Sequence, residues 1–196
     1  MQTRKKKEEG ISHFIEHLVF KGTRKYKVGE IANTIEASGG ELNAYTSFDQ
    51  TVFYVTISKN YMSTAMDVIS EMMGFPAFDE DEVNSEREVV CEEIKMGMDS
   101  PGRSSSQLLF RSVFKKHPYG VPVIGYDKNV RSWSVKKIKN YYESRYVPSN
   151  MTLVISGDFN EKDTKKQVIK IFSEFKPNKL KKNKTSIRAH SEKANV

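Results

Sequence analysis

Residues 13–17 read His-Phe-Ile-Glu-His, and the positions around the two histidines, Phe14, Ile15, Leu18 and Val19, are apolar. Apolar residues at this spacing predict a short helix over residues 12–20, stopped at Gly22, with much of its surface packed against other elements. Residues four apart share one face of a helix, so His13 and His17 can reach a common point. Taking two imidazoles out of water without a partner is costly. A fold that buries this helix must therefore meet them with polar groups or a metal ion. Such a pair also arises by accident on solvated surfaces. Here, however, two of the chain's four histidines take these places on an apolar helix, with Glu16 beside the second.

Two neutral imidazoles and one carboxylate can hold Zn²⁺ and leave a fourth position for water, whose pKa the ion lowers to roughly 7. Glu16 is placed to hold a proton near that open position. The third ligand is expected from an acid on another buried helix. Residues 79–96 are the best-marked helix: Asp79, with Glu82 three residues on, forms a capping-box pattern, and the acid-rich first turn suits the helix dipole. Glu82, Glu86 and Glu93 fall on one face of it, while Glu88 and Glu92 point elsewhere. Periodicity does not choose Glu93 over Glu86.

Further helices are predicted over residues 29–38, 60–73, 101–116, 135–146 and 161–175, and strands over 51–58 and 151–156. The order shows no regular strand–helix alternation and no Gly-rich phosphate loop. It predicts an α+β fold with a layered antiparallel or mixed sheet and helices on one face. One domain is expected over residues 10–175, between a basic segment at 1–9 and a Lys-rich tail at 176–196.

The net charge is +7, but the two end segments together carry +8, which leaves residues 10–175 at −1. Basicity confined to the ends reads as solvated tails and argues against a nucleic-acid face. Mean hydropathy is −0.60, and the longest apolar runs are strand-length, so no membrane crossing is expected. The basic start meets Glu8 and Glu9 rather than an apolar core, which is unlike a signal peptide. The single Cys91 reads as a buried, inert thiol in a reducing compartment, and a cytoplasmic location is expected. His117, ahead of Pro118, reads as a turn residue, and His190 as solvated.

Residues 10–23, residues 38–46 (Ser-Gly-Gly-Glu-Leu-Asn-Ala-Tyr-Thr) and residues 86–94 (Glu-Arg-Glu-Val-Val-Cys-Glu-Glu-Ile) resemble the N-terminal half of pitrilysin/insulinase-family zinc peptidases. These are the peptidases of the His-x-x-Glu-His order. The likeness is strongest to their bacterial mitochondrial-processing-peptidase-like branch, and residues 117–120, 150–154 and 157–158 fit it as well. The resemblance implies one Zn²⁺ per chain held by His13, His17 and Glu93, the last 76 residues after His17. It implies Glu86 as support behind the ligands and Glu16 as the base that activates a zinc-bound water. Asn43, Ala44, Tyr45 and Thr46 would lie at a sheet edge where a peptide substrate adds as a strand.

The activity implied is that of a zinc endopeptidase acting on extended peptides. The resemblance also places strands ahead of the zinc helix, so the sheet is expected to lack its first strands. A second homologous half or subunit would close a chamber over the substrate. The alternative reading is a truncated or non-catalytic subunit of such a peptidase that needs a second half for activity.

Overall fold

The computed structural model of the chain describes residues 6–175. The Lys-rich tail and the first five residues of the basic segment lie outside the described residues. In chain order the elements are α1 (Ile11–Leu18), α2 (Glu30–Glu36), β1 (Glu41–Thr46), β2 (Thr51–Thr56), α3 (Met62–Gly74), α4 (Glu80–Asp99), α5 (Pro101–Val113), α6 (Asp127–Ser132), α7 (Val135–Arg145) and α8 (Glu161–Phe172). None of the described helices is long and apolar enough to cross a membrane.

The short helix α1 runs through the middle of the core. Ile11, Phe14, Ile15, Leu18 and Val19 are at most 1% exposed, because α4, the β1–β2 hairpin and α7 surround the helix. Each such side chain contributes about 1.5–3 kcal/mol on burial, so packing rather than intrinsic propensity holds an eight-residue helix together. Its start is set by backbone contact. Gly10 has φ of 95°, and a Cβ there would lie 2.4 Å from the Ile124 carbonyl oxygen. Gly125 has φ of 81°, and a Cβ there would lie 2.4 Å from the Glu9 carbonyl oxygen.

Helix α4 begins as its sequence predicts. The Asp79 carboxylate accepts from the Asp81 and Glu82 amides at 2.9 and 3.3 Å. Val83, Glu86, Val90, Cys91, Ile94 and Gly97 form its buried face, a spacing of threes and fours. Arg87 donates to the Val130 carbonyl and, at 2.9 Å, to that of Trp133, which ties α4 to the end of α6. Trp133 packs with its ring 5.7 Å from that of Phe14 and donates Nε1–H to the Lys7 carbonyl at 2.8 Å.

The α+β class is as expected, with a smaller sheet. Among the described residues it has two antiparallel strands, in register from Glu41 opposite Thr56 to Thr46 opposite Thr51. The strand expected over residues 151–156 does not form: the segment joins no ladder, and Leu153 and Val154 are 45% and 78% exposed. β-branched residues favour extended backbone, but a strand exists only where a neighbour supplies the ladder bonds. Helix α6 has six residues and too few apolar positions to show a period, so it was not foreseen. Helices α5 and α8 stop three residues short of their expected ends. At the hairpin tip, the Phe48 ring lies 5.0 Å from Phe110 and 4.7 Å from Tyr119, and Tyr119 donates to Asp49 at 2.6 Å. These contacts fasten the far end of α5, none of whose residues is buried, to the turn after Thr46.

Candidate metal centre

α1 and α4 cross so that the histidine face of one meets the glutamate face of the other. The His13 and His17 rings lie one helical turn apart, with centroids 4.7 Å from each other. Glu93 Oε2 sits 3.8 Å from His13 Nε2 and 3.6 Å from His17 Nε2. One donor atom from each residue lies within 4.8 Å of the other two, and no other such group of three occurs among the described residues. Zinc bonds of 2.0–2.2 Å at tetrahedral angles put ligand atoms about 3.3 Å apart. The two measured separations thus exceed a zinc-bound set by a few tenths of an ångström. Two imidazoles and a carboxylate are also the donor types of a zinc site with an open position. The residues fit the metal.

Glu86, one heptad before Glu93, does not join the three. It is 5% exposed, and its Oε1 accepts from His17 Nδ1–H at 2.8 Å. With that proton on Nδ1, the lone pair of Nε2 faces Glu93. The other oxygen, Oε2, lies 2.7 Å from Lys21 Nζ. His13 has no matching support: its Nδ1 is buried without a hydrogen-bond partner among the described residues.

Glu16 stands beside the pair. Its Oε2 accepts from the Thr46 hydroxyl, whose oxygen lies 3.1 Å from that of Thr51. This contact joins the end of β1 to α1. Along β1, Asn43 and Tyr45 are exposed and Ala44 is half-buried. The Asn43 side-chain oxygen accepts from the Ala44 amide at 2.8 Å. β1 is paired on one side only among the described residues.

The electrostatics separate the two histidines. Burial, helped by the neighbouring His17, pulls the His13 pKa down to about 4, so its imidazole is neutral at pH 7 and able to bind a metal. Burial lowers His17 as well, but the Glu86 hydrogen bond and the charges of Glu86, Glu93 and Glu16 outweigh it and raise its pKa. For Glu86, burial works upward and loses to the His17 and Lys21 bonds, which hold it below the usual carboxylate range. Burial lifts Glu16 above that range, with Glu93 helping and the Thr46 bond and His17 opposing.

Of the residues singled out in the sequence, His13, His17 and Glu93 meet at this crossing, Glu86 and Glu16 stand beside it and Thr46 touches Glu16, while Asn43, Ala44 and Tyr45 lie along β1 and His190 falls outside the described residues. The hydroxyl bond from Thr46 to Glu16 was not foreseen, nor was Lys21. Lys21 follows His17 by only four residues, but α1 stops at Leu18, so no helix face announces it. The Thr46 contact spans 30 residues and has no local signal.

Comparison with known proteins finds peptidase profiles, relatives and structures. Residues 3–127 match the sequence profile described as Insulinase (Peptidase family M16), and residues 132–195 match that of the Peptidase M16 inactive domain. A Bacillus subtilis relative named as the uncharacterized zinc protease YmxG is 34% identical over 152 residues, which are 78% of this chain and 37% of that protein. An Arabidopsis thaliana protein named "Probable mitochondrial-processing peptidase subunit beta, mitochondrial" is 31% identical over 85% of this chain and 31% of its own length. The crystal structure of a protease from Helicobacter pylori superposes with a TM-score of 0.87 at 31% identity, covering 92% of this chain and 44% of that one. The chain spans less than half the length of each of these relatives.

Proposed function

This chain belongs to the insulinase family of peptidases, family M16, and on that premise we propose that it is a zinc-dependent endopeptidase domain that hydrolyses extended peptides. The observation that carries the proposal is the meeting of His13, His17 and Glu93 from two helices, with Glu16 alongside. His13, His17 and Glu93 would hold one zinc ion. Bound zinc supplies Lewis acidity, which polarises the scissile carbonyl and brings the pKa of a water toward ~7.

The chain's own residues do the rest. Glu16 takes the proton of the attacking water on Oε1, the oxygen that Thr46 does not hold, and passes it to the leaving amine. Its burial makes it a stronger base than a solvated glutamate, because the charged form is poorly hydrated. Thr46, backed by Thr51, fixes the angle of that carboxylate. The other edge of β1 at Asn43, Ala44 and Tyr45 takes the substrate as an added strand, so main-chain bonds supply affinity and side-chain selectivity stays loose. The peptide is the substrate, and a second homologous half is the partner that would close over it.

The test is cleavage of a quenched fluorescent peptide by the zinc-loaded chain and by Glu16→Gln. The variant is expected to keep its zinc and lose turnover by at least 10²-fold, the usual share of a general base. A variant that cleaves at the native rate refutes the role of Glu16. A wild-type chain that binds zinc but cleaves nothing moves the reading to a half that needs its complement.

A further inference from the structure

Lys21 has no place in the reading above, yet it touches the network behind His17. Its amide donates to the Leu18 carbonyl at 3.0 Å and closes the end of α1. Its ammonium then reaches the carboxylate of Glu86 on α4, 2.7 Å from Oε2. The Glu86 side chain is 6% exposed and that of Lys21 33%, so a nearly buried anion meets a half-buried cation. Each oxygen of Glu86 has one partner: His17 Nδ1 on Oε1 and Lys21 on Oε2.

A carboxylate pinned at one oxygen only is free to swing about its last bond. Pinned at both, it has one orientation, and the atom it aims at is held with it. We infer that Lys21 is a positioning residue for the metal site: by holding Glu86 Oε2 it aims Oε1 at His17 Nδ1, which keeps His17 Nε2 turned toward Glu93 and His13. This inference rests on the zinc-site reading and goes one step behind the ligands.

Simple charge predicts the reverse sign. An ammonium near a dication repels it, so removing Lys21 for that reason alone would tighten zinc binding. Positioning predicts weaker binding, because an outer partner of a metal-ligating histidine that loses its own support releases the ring. The two effects oppose each other, and the direction of change decides between them.

The test is zinc affinity of the full chain by competition with a chromophoric chelator, for wild type, Lys21→Met, Lys21→Arg, Glu86→Gln and the double variant Lys21→Met with Glu86→Gln. Lys21→Met is expected to bind zinc about tenfold more weakly, the lower end of the effect of outer-shell changes, and Lys21→Arg to stay near wild type. In the Glu86→Gln background, Lys21→Met is expected to cause no further loss, since its action runs through Glu86. Lys21→Gln, which adds no apolar group, is expected to weaken binding in the same direction and serves if Lys21→Met does not fold. Equal or tighter binding by Lys21→Met and Lys21→Gln of a zinc-binding wild type overturns this inference alone, as does an equal loss in both backgrounds. A folded wild-type chain that takes up no zinc overturns the metal-site reading and the inference with it.

Discussion

Replacing Glu93 with Gln should leave the metal-free fold almost untouched and remove nearly all of its stabilisation by zinc. The Glu93 side chain is 36% exposed, and His13 Nε2 and His17 Nε2 lie 3.8 and 3.6 Å from its Oε2, beyond hydrogen-bonding distance. An isosteric change at such a position costs within about 0.5 kcal/mol. With metal the balance differs. A ligand that binds only the native state adds RT ln(1 + [L]/Kd), about 2.7 kcal/mol at free zinc 100 times Kd. For a domain of this size, each kcal/mol moves Tm by roughly 2–4 °C, so wild type should gain about 5–11 °C on zinc addition.

Loss of an outer-shell partner weakens a metal site by up to about 100-fold, and loss of a ligand should do no less. At the same free zinc the variant then sits near [L]/Kd of 1, where the gain is about 0.4 kcal/mol, or roughly 1–2 °C. The assay is a pair of thermal melts for each protein, one in chelator and one at buffered free zinc. Equal melting in chelator with a collapsed zinc increment is the expected result. A Glu93→Gln chain that keeps the full increment would remove Glu93 from the ligand set and end the argument from the crossing of α1 and α4.

Two further outcomes follow from the packing and the charges. Phe14→Ala removes a fully buried ring 5.7 Å from Trp133 on the helix that carries the histidines. It should cost about 3–5 kcal/mol in denaturant unfolding with no change in slope, and a cost under about 1 kcal/mol would show that α1 is not packed as described. Asp67 accepts from Lys25 and Tyr26; burial works upward on its pKa, but those bonds and the charges of Lys25 and Arg24 hold it below its ordinary value of 3.8. A depressed folded pKa contributes stability above the unfolded pKa and loses it as pH falls through the folded one. Asp67→Asn should therefore lower Tm at pH 7 and converge with wild type as pH falls below 3.8 and through the depressed folded pKa, and a constant difference across that range would contradict the assignment.

Much of this arrangement was legible in the sequence for a local reason. His13, Glu16 and His17 share one turn, and the apolar residues around them declare a buried helix before any tertiary fact is known. The cap at Asp79 was readable on the same ground. Glu86 and Glu93 were not separable from periodicity, because a heptad puts both on the same face of α4. What distinguishes them is where each meets α1: Glu86 reaches the back of the His17 ring at Nδ1, and Glu93 faces Nε2 of both histidines. That difference lies in the crossing of two helices, and no single-helix pattern contains it. The segment at 151–156 failed for the complementary reason, since its β-rich composition specifies a backbone shape but not the neighbour that would make it a strand.

Gly10 and Gly125 face one another through main-chain atoms alone, and this shapes how the chain can vary over time. Most tight contacts can be relieved by a second change, because one neighbour can shrink when the other grows. Here each added methyl would strike the other strand of backbone, which has nothing left to trim, and both positions hold left-handed φ angles that disfavour side chains. A double replacement would compound the damage, so a change at one glycine cannot be compensated by a change at the other. Because they meet at the first turn of α1, the depth at which His13 and His17 sit is guarded by two residues that carry no side-chain chemistry. The apolar residues around the helix can drift among Ile, Leu and Val at modest cost, while that depth stays where the glycine pair puts it.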